Sequence, residues 1–569
     1  MKNKTPFSLI FYLWLGLFTC SQIFAQGNPI LLTPPMGWNS WNIFKENINE
    51  NQIKEIADAM VSTGMRDAGY IYLNLDDNWM ASSRDENGKL RADPQRFPSG
   101  MKALGDYIHG KGLKFGIYGD RGIRTCHHYH ANMNSRSGSY GLETQDAETF
   151  ASWGVDYLKY DNCDPSPGSN MQEDYANMSN ALKNTGRDIA FSICAWGFHN
   201  WMPNTGNLWR TTGDISDKWD LEPGFFRGII NIIDENEGLA SHAKPGKWND
   251  PDMLQIGNGG CTNEEYKTQM SMWSIMAAPL LAGNDIRKMS SAIKDILLNK
   301  EIIAVNQDSA GIQGRRIKSI NGVEVWVKPL GDANSNRKAI ALLNRNGNTA
   351  NFTLDITDIG YSATEQISFR DLWDKKDLGY FSGEFSTSIP SHGTNVYITD
   401  REVFIHKVPG LIPATQFSVM SGIQIESDSL ENSNIGYIND GDWAAYQISI
   451  TTANSYILIA KLATNSSQNS FMDLTLSDGS QLGSFEIDHN KSQGWRDWYL
   501  DTIDISLPKG DYDLKLQMRG HDDYLFNLEW LKIEDKAQEE PVAIKPMITT
   551  KPKTRPNMYN LKGELKRSK

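Results

Sequence analysis

The chain has 569 residues, of which 39% are hydrophobic or aromatic and a further 48 are glycine. This is the usage of a globular protein, and it excludes wholesale disorder, a collagen-like repeat and a polytopic membrane protein. The net charge is −13, from 56 Lys and Arg against 69 Asp and Glu, which disfavours nucleic acid because such partners are held by neutralising phosphates. We therefore expect several globular domains and no nucleic-acid partner.

The N-terminus has the pattern of an export signal. Two lysines precede an apolar run over residues 7–18, and small and polar residues follow. About 12 apolar residues are too few for a membrane-spanning helix of about 20. We predict a signal peptide over 1–25, no transmembrane span, and export to the periplasm, the cell surface or the medium. Cys20 leaves a lipid anchor open, although Thr19 is bulkier than the residue usual before a lipidated cysteine.

The next segment alternates short apolar strands with amphipathic helices. The predicted strands are Met36–Trp41, Tyr70–Leu75, Leu113–Tyr118, Tyr157–Tyr160, Ile189–Cys194, Leu208–Thr212, Lys247–Leu254 and Pro279–Ala282. The predicted helices are Glu50–Thr63, Met101–His109, Ala147–Trp153, Tyr175–Asn184, Phe225–Asp234, Asn263–Met276 and Ser290–Leu298. This count and length indicate a (β/α)8 TIM barrel over 28–306. A doubly wound open sheet is the alternative, but the first strand lacks the Gly-rich turn typical of that fold.

After Asn306 the pattern changes to short alternating strands. They are predicted at Val323–Val327, Ala339–Leu343, Ala350–Leu354, Gln366–Asp371, Leu378–Phe381, Glu384–Ile389 and Thr394–Ile398. We predict an antiparallel β-sandwich over 307–400 and a second all-β domain over 402–535. Residues 536–569 are predicted to form a solvated basic tail, because Lys, Pro and Thr dominate there.

Polar side chains follow the strands of the predicted barrel. They are Asp76 and Asp77 after the second strand, Tyr118 and Asp120 at the third, Asp161 after the fourth, Cys194 and Trp196 at the fifth, Asp214 and Asp217 after the sixth, and Asp250 and Asp252 at the seventh. Barrel enzymes place their chemistry at the carboxyl ends of the strands. We therefore expect these side chains to converge on one rim and to form the active site.

Two carboxylates on neighbouring strand ends are the minimum set for glycoside hydrolysis, in which one attacks the sugar or activates water and the other protonates the departing oxygen. Asp161 follows the fourth strand, and Lys159 lies two residues earlier, on the same side of the pleat. A nearby ammonium favours the ionised carboxylate, which suits a nucleophile. Asp214 is the second candidate. Any one of these aspartates, taken alone, could equally cap a helix or pair with a basic residue.

Eight segments together resemble a known family. They are PPMGWNSWN (34–42), YIYLNLDDNWM (70–80), KFGIYGDRGIRTC (114–126), DYLKYDNC (156–163), LWRTTGDI (208–215), KWNDPDMLQIG (247–257), APLLAGNDIRKM (278–289) and EIIAVNQD (301–308). In this order and spacing they resemble glycoside hydrolase family 27, whose best-known members are α-galactosidases. The resemblance covers the predicted barrel and the sandwich that follows it.

This resemblance implies a retaining double displacement, with Asp161 as nucleophile and Asp214 as acid/base. It implies that Asp76 and Asp77 hold the 4- and 6-hydroxyls of galactose. The full predicted substrate-binding set is Trp41, Asp76, Asp77, Tyr118, Lys159, Cys194, Trp196, Arg210 and Asp217. A disulfide between Cys126 and Cys163 is also implied, and neither a metal nor a cofactor is expected for catalysis.

The segment after the fifth strand departs from the family pattern. Family α-galactosidases often carry Glu directly after the cysteine, near the sugar 2-hydroxyl, whereas Cys194 is followed here by Ala195. A small residue is compatible with an acetamido group, but we expect Phe198 to refill the space and to favour galactosides. The alternative substrates are α-N-acetylgalactosaminides, β-L-arabinopyranosides and isomalto-glucans. A catalytically inactive lectin is a further alternative, which the intact set of aspartates disfavours.

The last all-β segment has its own signature. IGYINDGDWAAY (435–446), GWRDW (494–498) and FNLEWLKIE (526–534) resemble carbohydrate-binding modules of family 6, which are β-sandwich jelly rolls. The resemblance implies that Tyr437 and Trp495 sandwich a sugar ring and that Asn527 hydrogen-bonds it. Thr415 and Gln416 stand where such modules often carry a calcium-binding Glu, so a structural calcium is left open as an alternative. We expect an exported exo-acting α-galactosidase whose partner is a galactose-containing oligo- or polysaccharide.

Overall fold

The structure is a computed structural model that describes residues 30–331, 335–401, 404–427 and 433–536. The chain divides at residue 404 into two compact units. Across the described ranges, no helix combines the length and the apolar character needed to cross a membrane. The predicted signal peptide with Cys20, and the basic tail from residue 537 onward, lie outside the described residues.

A parallel sheet of eight strands forms the centre of the first unit. The strands are β1 Met36–Asn39, β2 Tyr72–Asn74, β3 Lys114–Asp120, β4 Tyr157–Asp161, β5 Ala190–Ile193, β6 Leu208–Arg210, β7 Trp248–Asp250 and β8 Leu280–Ala282. Strands β1 to β7 pair in sequence order, and β8 returns to pair with β1. A bridge between Leu254, after β7, and Ala282 closes the ring. The predicted (β/α)8 barrel is confirmed; β3 and β4 extend beyond the apolar runs that predicted them, and the other strands are shorter than predicted.

Helices surround this sheet. They are α1 Trp41–Phe44, α2 Glu50–Ser62, α3 Gly100–Gly110, α4 Cys126–His130, α5 Glu143–Ser152, α6 Met171–Asn184, α7 Met202–Thr205, α8 Ile229–Glu237, α9 Asn263–Ile275, α10 Ser291–Leu297 and α11 Lys300–Asn306. Polar caps define several starts: the Asn49 side chain accepts from Gln52 N, and Thr262 accepts from Glu265 N. The apolar faces of the helices and the strands share one continuous buried core.

One predicted helix begins late. Apolar spacing predicted a helix over Phe225–Asp234, but α8 starts at Ile229 with Gly228 as its N-cap. Arg227 instead forms an isolated bridge with Ile215, in the loop after β6. The start was predicted wrongly because periodicity does not register backbone pairing with a distant segment.

The β-sandwich follows the barrel within the same unit. Its strands are β9 Arg315–Ile320, β10 Val323–Pro329, β11 Lys338–Asn344, β12 Ala350–Asp355, β13 Ile367–Asp371, β14 Lys376–Phe381, β15 Glu384–Ile389 and β16 Thr394–Arg401. A six-stranded sheet in the order β14-β13-β16-β11-β10-β9 and the pair β12-β15 contribute to one apolar core. The predicted sandwich is confirmed. Strand β9 was missed because its residues are mostly exposed and lack the alternation of a half-buried strand.

The second unit is all-β. Its strands are β17 Ile405–Val408, β18 Gly410–Pro413, β19 Val419–Ser421, β20 Gln424–Ser427, β21 Ser433–Gly436, β22 Trp443–Ile450, β23 Asn454–Ala463, β24 Ser470–Leu476, β25 Gln481–Ile487, β26 Tyr499–Leu507, β27 Gly510–Arg519 and β28 Asn527–Asp535. Two sheets, built around β17-β22-β27-β24-β25 and β20-β21-β28-β23-β26, enclose a separate apolar core. The predicted β-sandwich module is confirmed.

Candidate active site

The carboxyl ends of the barrel strands surround a cavity of about 490 Å³. The structure brings most of the predicted substrate-binding and catalytic residues to it: Trp41, Asp76, Asp77, Tyr118, Lys159, Asp161, Cys194, Trp196, Arg210 and Asp214. Strands in a parallel barrel point the same way, so the residues that follow them share one rim. The cavity is a pocket of small-ligand size with several ionisable groups converging on it.

Asp76 and Asp77, after β2, are held by hydrogen bonds to their surroundings. Asp76 Oδ2 accepts from Asn39 Nδ2 and from Lys159 Nζ, each at 2.8 Å. Asp77 Oδ2 accepts from the backbone N–H of His127 at 2.7 Å. Burial raises the pKa of Asp77 to about 6, although backbone N–H donors oppose the rise. Both carboxylates are therefore fixed in position, and both can accept hydrogen bonds from hydroxyl groups in the cavity.

Lys159 connects this pair to Asp161. It lies two residues before Asp161 on β4, and its side chain reaches the same side of the sheet. Burial opposes its charged form, but the Asp76 carboxylate holds the pKa of Lys159 well above its ordinary value. The ammonium is therefore charged, and it lies half-buried between carboxylates.

Asp161 ends β4 and is almost completely buried. Its Oδ2 accepts a 3.0 Å hydrogen bond from the Tyr118 hydroxyl, and its Oδ1 accepts one of 3.0 Å from Asn162 N. The pKa of Asp161 is raised to about 6, chiefly by burial; the Lys159 ammonium lowers it, and the Asp214 carboxylate adds to the rise. The expected effect of Lys159 is present, but burial outweighs it. Above pH 6 the carboxylate is mostly ionised, oriented and available for attack.

Asp214 lies in the loop after β6, with about a third of its side chain exposed. Its Oδ1 is 3.1 Å from Arg210 Nη2, which is also 2.8 Å from Asp252 Oδ2. Asp252 in turn accepts from Ile215 N at 2.9 Å. One buried guanidinium thus holds two carboxylates, and Asp252 anchors the loop that carries Asp214.

The predicted disulfide between Cys126 and Cys163 is present, and both residues line the cavity. Buried Asp120 lies beside it and accepts from Cys163 N at 2.9 Å and from Gly122 N at 2.7 Å. Of the His, Cys, Asp and Glu side chains that the structure describes, Asp120 and these two cysteines form the one group compact enough to share a metal ion. The two sulfurs are bonded to each other, so this group does not have the free thiolates of a metal site.

Asp217, predicted to bind substrate, does not line the cavity. Its two carboxylate oxygens each accept from the Tyr266 hydroxyl at 2.9 Å, and it also contacts the backbone N–H of Gly260. The carboxylate therefore ties the loop after β6 to α9. The sequence pattern could not distinguish it from Asp214, because both follow the same strand.

Phe198, expected to fill space near the sugar 2-position, also lies elsewhere. Its ring packs on His242 at 4.5 Å between centroids, and it is not among the cavity-lining residues. Ala195 is buried in the core behind the rim. Trp196 does line the cavity, and its φ of 55° lies in the left-handed region, which costs a non-glycine residue about 1–2 kcal/mol.

Sequence reasoning left several of the cavity-lining residues out of the predicted substrate-binding set, among them Asp252, Phe225 and Phe226. Asp252 was expected on the rim but was left out of the predicted substrate-binding set, and its contact with Arg210 becomes evident only in the fold. Phe225 and Phe226 were predicted to be helical, yet they lie on the cavity and are about half exposed. Nothing in the apolar spacing signalled this position.

The second unit has an aromatic cluster of its own. Tyr437 and Tyr524 are exposed, with ring centroids 5.5 Å apart, and Trp495 lies 6.5 Å from Tyr524. Tyr524 was not predicted. Asn527, predicted to bind sugar, is buried, and its Nδ2 donates at 2.9 Å to Trp495 O and to Glu426 Oε2. Both amide hydrogens are used within the protein, so Asn527 holds the Trp495 loop and has no donor left for a sugar.

Comparison with known families divides the chain in the same way as its fold. Residues 33–308 match the family described as Alpha galactosidase A, and residues 321–399 match the Alpha galactosidase C-terminal beta sandwich domain. Residues 413–535 match Carbohydrate binding module (family 6).

Individual relatives cover the barrel and the sandwich. Alpha-galactosidase 2 of Arabidopsis thaliana is 45% identical over 405 residues, which is 69% of this chain and 98% of the relative. The crystal structure of alpha-galactosidase I from Mortierella vinacea superposes with a TM-score of 0.62 at 36% identity, over 66% of this chain and 98% of that one. A family 27 β-L-arabinopyranosidase from Geobacillus stearothermophilus superposes at 0.56 with 26% identity, over 65% of this chain and 98% of that one. Since these relatives are matched over nearly their full length, the chain belongs to the α-galactosidase family, glycoside hydrolase family 27.

Proposed function

We propose that this protein hydrolyses terminal α-D-galactosyl residues of oligo- or polysaccharides by a retaining double displacement. The observation that carries the proposal is the pair Asp161 and Asp214 on one cavity, with the ion pair of buried Asp76 and half-buried Lys159 beside them. One carboxylate is buried and oriented, and the other is partly exposed at the end of a loop. The buried carboxylate is oriented for attack, and the partly exposed one can exchange protons with solvent, which suits the two roles of a retaining glycosidase.

In the first step Asp161 attacks the anomeric carbon and forms a glycosyl-enzyme. The Tyr118 hydroxyl and Asn162 N–H each occupy one of its oxygens, which fixes the carboxylate plane and leaves a lone pair for attack. Burial and the Asp161 charge raise the pKa of Tyr118 well above its ordinary value, so the phenol stays protonated and keeps donating. Holding the nucleophile in position in this way contributes to the rate enhancement and requires no cofactor.

Asp214 gives its proton to the departing oxygen and then takes one from the water that hydrolyses the glycosyl-enzyme. The Arg210 guanidinium holds its carboxyl group, and Asp252 holds the same guanidinium from the other side. The acid therefore stays over the cavity through both steps.

Asp76 and Asp77 are proposed to receive the 4- and 6-hydroxyls of the sugar. A fixed carboxylate accepts from an axial hydroxyl, whereas an epimer would leave that carboxylate unpaired, and such a loss discriminates strongly. N-Acetylgalactosaminides and isomalto-glucans stay as alternative substrates, as do β-L-arabinopyranosides, on which a family member acts. An inactive lectin would need neither Asp161 nor Asp214.

The remaining parts of the chain extend this proposal. We assign 28–306 to the catalytic barrel, 307–400 to the sandwich and 402–535 to a sugar-binding module whose ligand contacts are Tyr437 and Trp495, joined by Tyr524. Export is supported by the signal-like residues 1–25 and by the disulfide, because disulfides persist in oxidising compartments. No metal or cofactor is assigned to catalysis, and a structural calcium in the module stays an open alternative.

The nucleophile can be tested chemically. Asp161→Ala should lower kcat on p-nitrophenyl α-galactoside by several orders of magnitude, and azide should restore turnover and yield the β-configured galactosyl azide. Asp217→Ala, which removes a carboxylate that lies off the cavity, should not respond to azide. An α-configured azide product from the Asp161 variant, or azide rescue of the Asp217 variant instead, would assign the reaction to another carboxylate.

A further inference from the structure

An aromatic edge lies on one side of the cavity mouth and is formed by Trp196, Phe225 and Phe226. All three line the cavity. The Phe225 ring is 5.6 Å from Trp196 and 5.4 Å from Phe226, with interplanar angles of 82° and 84°. The two phenylalanines keep 47% and 57% of their surface exposed. Single exposed apolar residues are ordinary, but three touching rings on the wall of a polar pocket form a continuous apolar surface.

The backbone fixes this edge to Asp214. Arg227 N donates to Asp214 O at 2.8 Å, and Ser216 N donates to Arg227 O at 2.7 Å. A Cβ on Gly213 would lie 2.0 Å from the Phe225 carbonyl oxygen, so glycine is needed for the two segments to approach this closely. Residues 225–227 therefore run directly beside residues 213–216 and keep a fixed position relative to the acid/base.

Because the aromatic edge is held beside Asp214, it can contact only the part of a substrate that lies next to Asp214. Asp214 must protonate the oxygen that joins the galactosyl residue to its leaving group, so the leaving group lies next to Asp214. Asp76, Asp77 and Asp161 are buried, whereas Asp214 is partly exposed. The leaving group therefore extends from Asp214 toward the mouth, on the side where Phe225 and Phe226 lie.

We propose, on the basis of the function proposed above, that Trp196, Phe225 and Phe226 form the binding subsite for the leaving group, and that this group is a second sugar ring. A pyranose has an apolar C–H face that packs on aromatic rings, and the phenylalanines have no polar atom that would require a specific hydroxyl pattern. The subsite therefore accepts a sugar ring by its shape and apolar face. The substrate class is an oligosaccharide with a terminal α-galactosyl residue.

The test is the double variant Phe225→Ala/Phe226→Ala in the full chain, with three substrates that differ only in leaving group. Melibiose has a sugar as its leaving group. Methyl α-galactoside has a minimal leaving group that still requires protonation by Asp214. The fluoride of α-galactosyl fluoride leaves without a proton and without contact with the aromatic edge. We expect kcat/KM on melibiose to fall about tenfold, as for loss of contact with one ring-sized apolar face. The two other substrates should change by less than about twofold, because their leaving groups do not reach the edge.

Two further variants make the result decisive. Phe226→Tyr keeps a ring at the mouth and should retain most of the activity on melibiose. Phe198→Ala removes a ring that does not line the cavity from the loop that carries Trp196. It should leave the ratio of kcat/KM on melibiose to kcat/KM on methyl α-galactoside unchanged.

The possible outcomes separate the two proposals. The double variant could lose kcat/KM equally on melibiose and on methyl α-galactoside while kcat/KM on α-galactosyl fluoride is unchanged. That result would mean that the phenylalanines support Asp214 and do not bind the leaving group. No loss on melibiose would also overturn the subsite. Failure of the unaltered protein to hydrolyse α-galactosyl fluoride would instead overturn the proposed function itself.

Discussion

The Tyr118 hydroxyl offers a direct test of how the protein controls the charge of Asp161. It donates a 3.0 Å hydrogen bond to Asp161 Oδ2, and both residues are buried. Hydrogen bonds to a charged group contribute about 1.5–3 kcal/mol, and each pKa unit corresponds to about 1.4 kcal/mol. Tyr118→Phe removes the donor and keeps the ring. The pKa of Asp161, which burial already raises to about 6, should therefore rise to about 7–8 in the variant.

The sign of the effect follows from the role of the carboxylate. Asp161 attacks in its ionised form. The value of kcat/KM is therefore maximal above the pKa of Asp161 and falls about tenfold per pH unit below that pKa. The acidic limb of the profile should lie near pH 6 in the unaltered protein, which is where the pKa of Asp161 lies, and at about 7–8 in the variant. The substrate of choice is α-galactosyl fluoride, because fluoride leaves without a proton and the profile then does not report Asp214. Measuring fluoride release from about pH 4.5 to 9 covers the acidic limb of the unaltered protein and that of the variant.

Tyr175→Phe is the matched control. It also removes a buried hydroxyl near Asp161, but that hydroxyl donates to the backbone carbonyl oxygens of Asp161 and Cys194 at 3.2 and 3.1 Å. Its loss should lower thermal stability and leave the acidic limb in place. A uniform loss of activity in Tyr118→Phe, with the limb still near 6, would refute the reasoning and would leave Tyr118 as a wall of the sugar site only.

Three further outcomes are expected. Asp214→Ala should reduce kcat/KM about 10²–10⁴-fold more on methyl α-galactoside than on α-galactosyl fluoride, because only the former needs an acid; equal losses would argue against Asp214. Deleting residues 402–569 should leave kcat/KM on p-nitrophenyl α-galactoside within about twofold while weakening retention on a galactose-containing polysaccharide column; loss of activity on the small substrate would mean that the module supports the barrel. Phe198→Ala should leave the preference for galactoside over N-acetylgalactosaminide within about twofold of its original value, since its ring packs on His242; relaxed discrimination would place Phe198 near the 2-position after all.

The parts of the site that could be predicted from sequence are those that depend on strand geometry. Asp76 and Asp161 directly follow apolar runs, and Asp214 lies in the loop just after β6; parallel strands bring such positions to one rim. Lys159 and Asp161 are two residues apart on one strand, so the pleat directs both side chains to the cavity. These inferences required only the order and type of the elements.

The sequence did not reveal hydrogen-bond partners that are distant along the chain. Asp217 is committed to Tyr266, which lies on α9. Asn527 is committed to Trp495 and Glu426, on other elements of the module. In sequence, a polar residue that contacts the ligand cannot be distinguished from one that contacts the protein. The difference matters because each polar group makes only a limited number of hydrogen bonds, so a donor used within the protein is not free for a ligand.

The loop after β6 shows why the nucleophile is easier to predict than the substrate. Phe225 and Phe226 fit the apolar face of a helix that continues into α8, and in most proteins such residues are core. Here Gly228 starts the helix, and the backbone of Arg227 pairs beside Asp214. That pairing leaves both rings on the cavity mouth. The catalytic carboxylates lie at or just after strand ends, and the apolar periodicity of the sequence detects those strands. The proposed subsite for the leaving group lies on the loop after β6 instead. The path of that loop depends on the close contact at Gly213 and on two backbone hydrogen bonds.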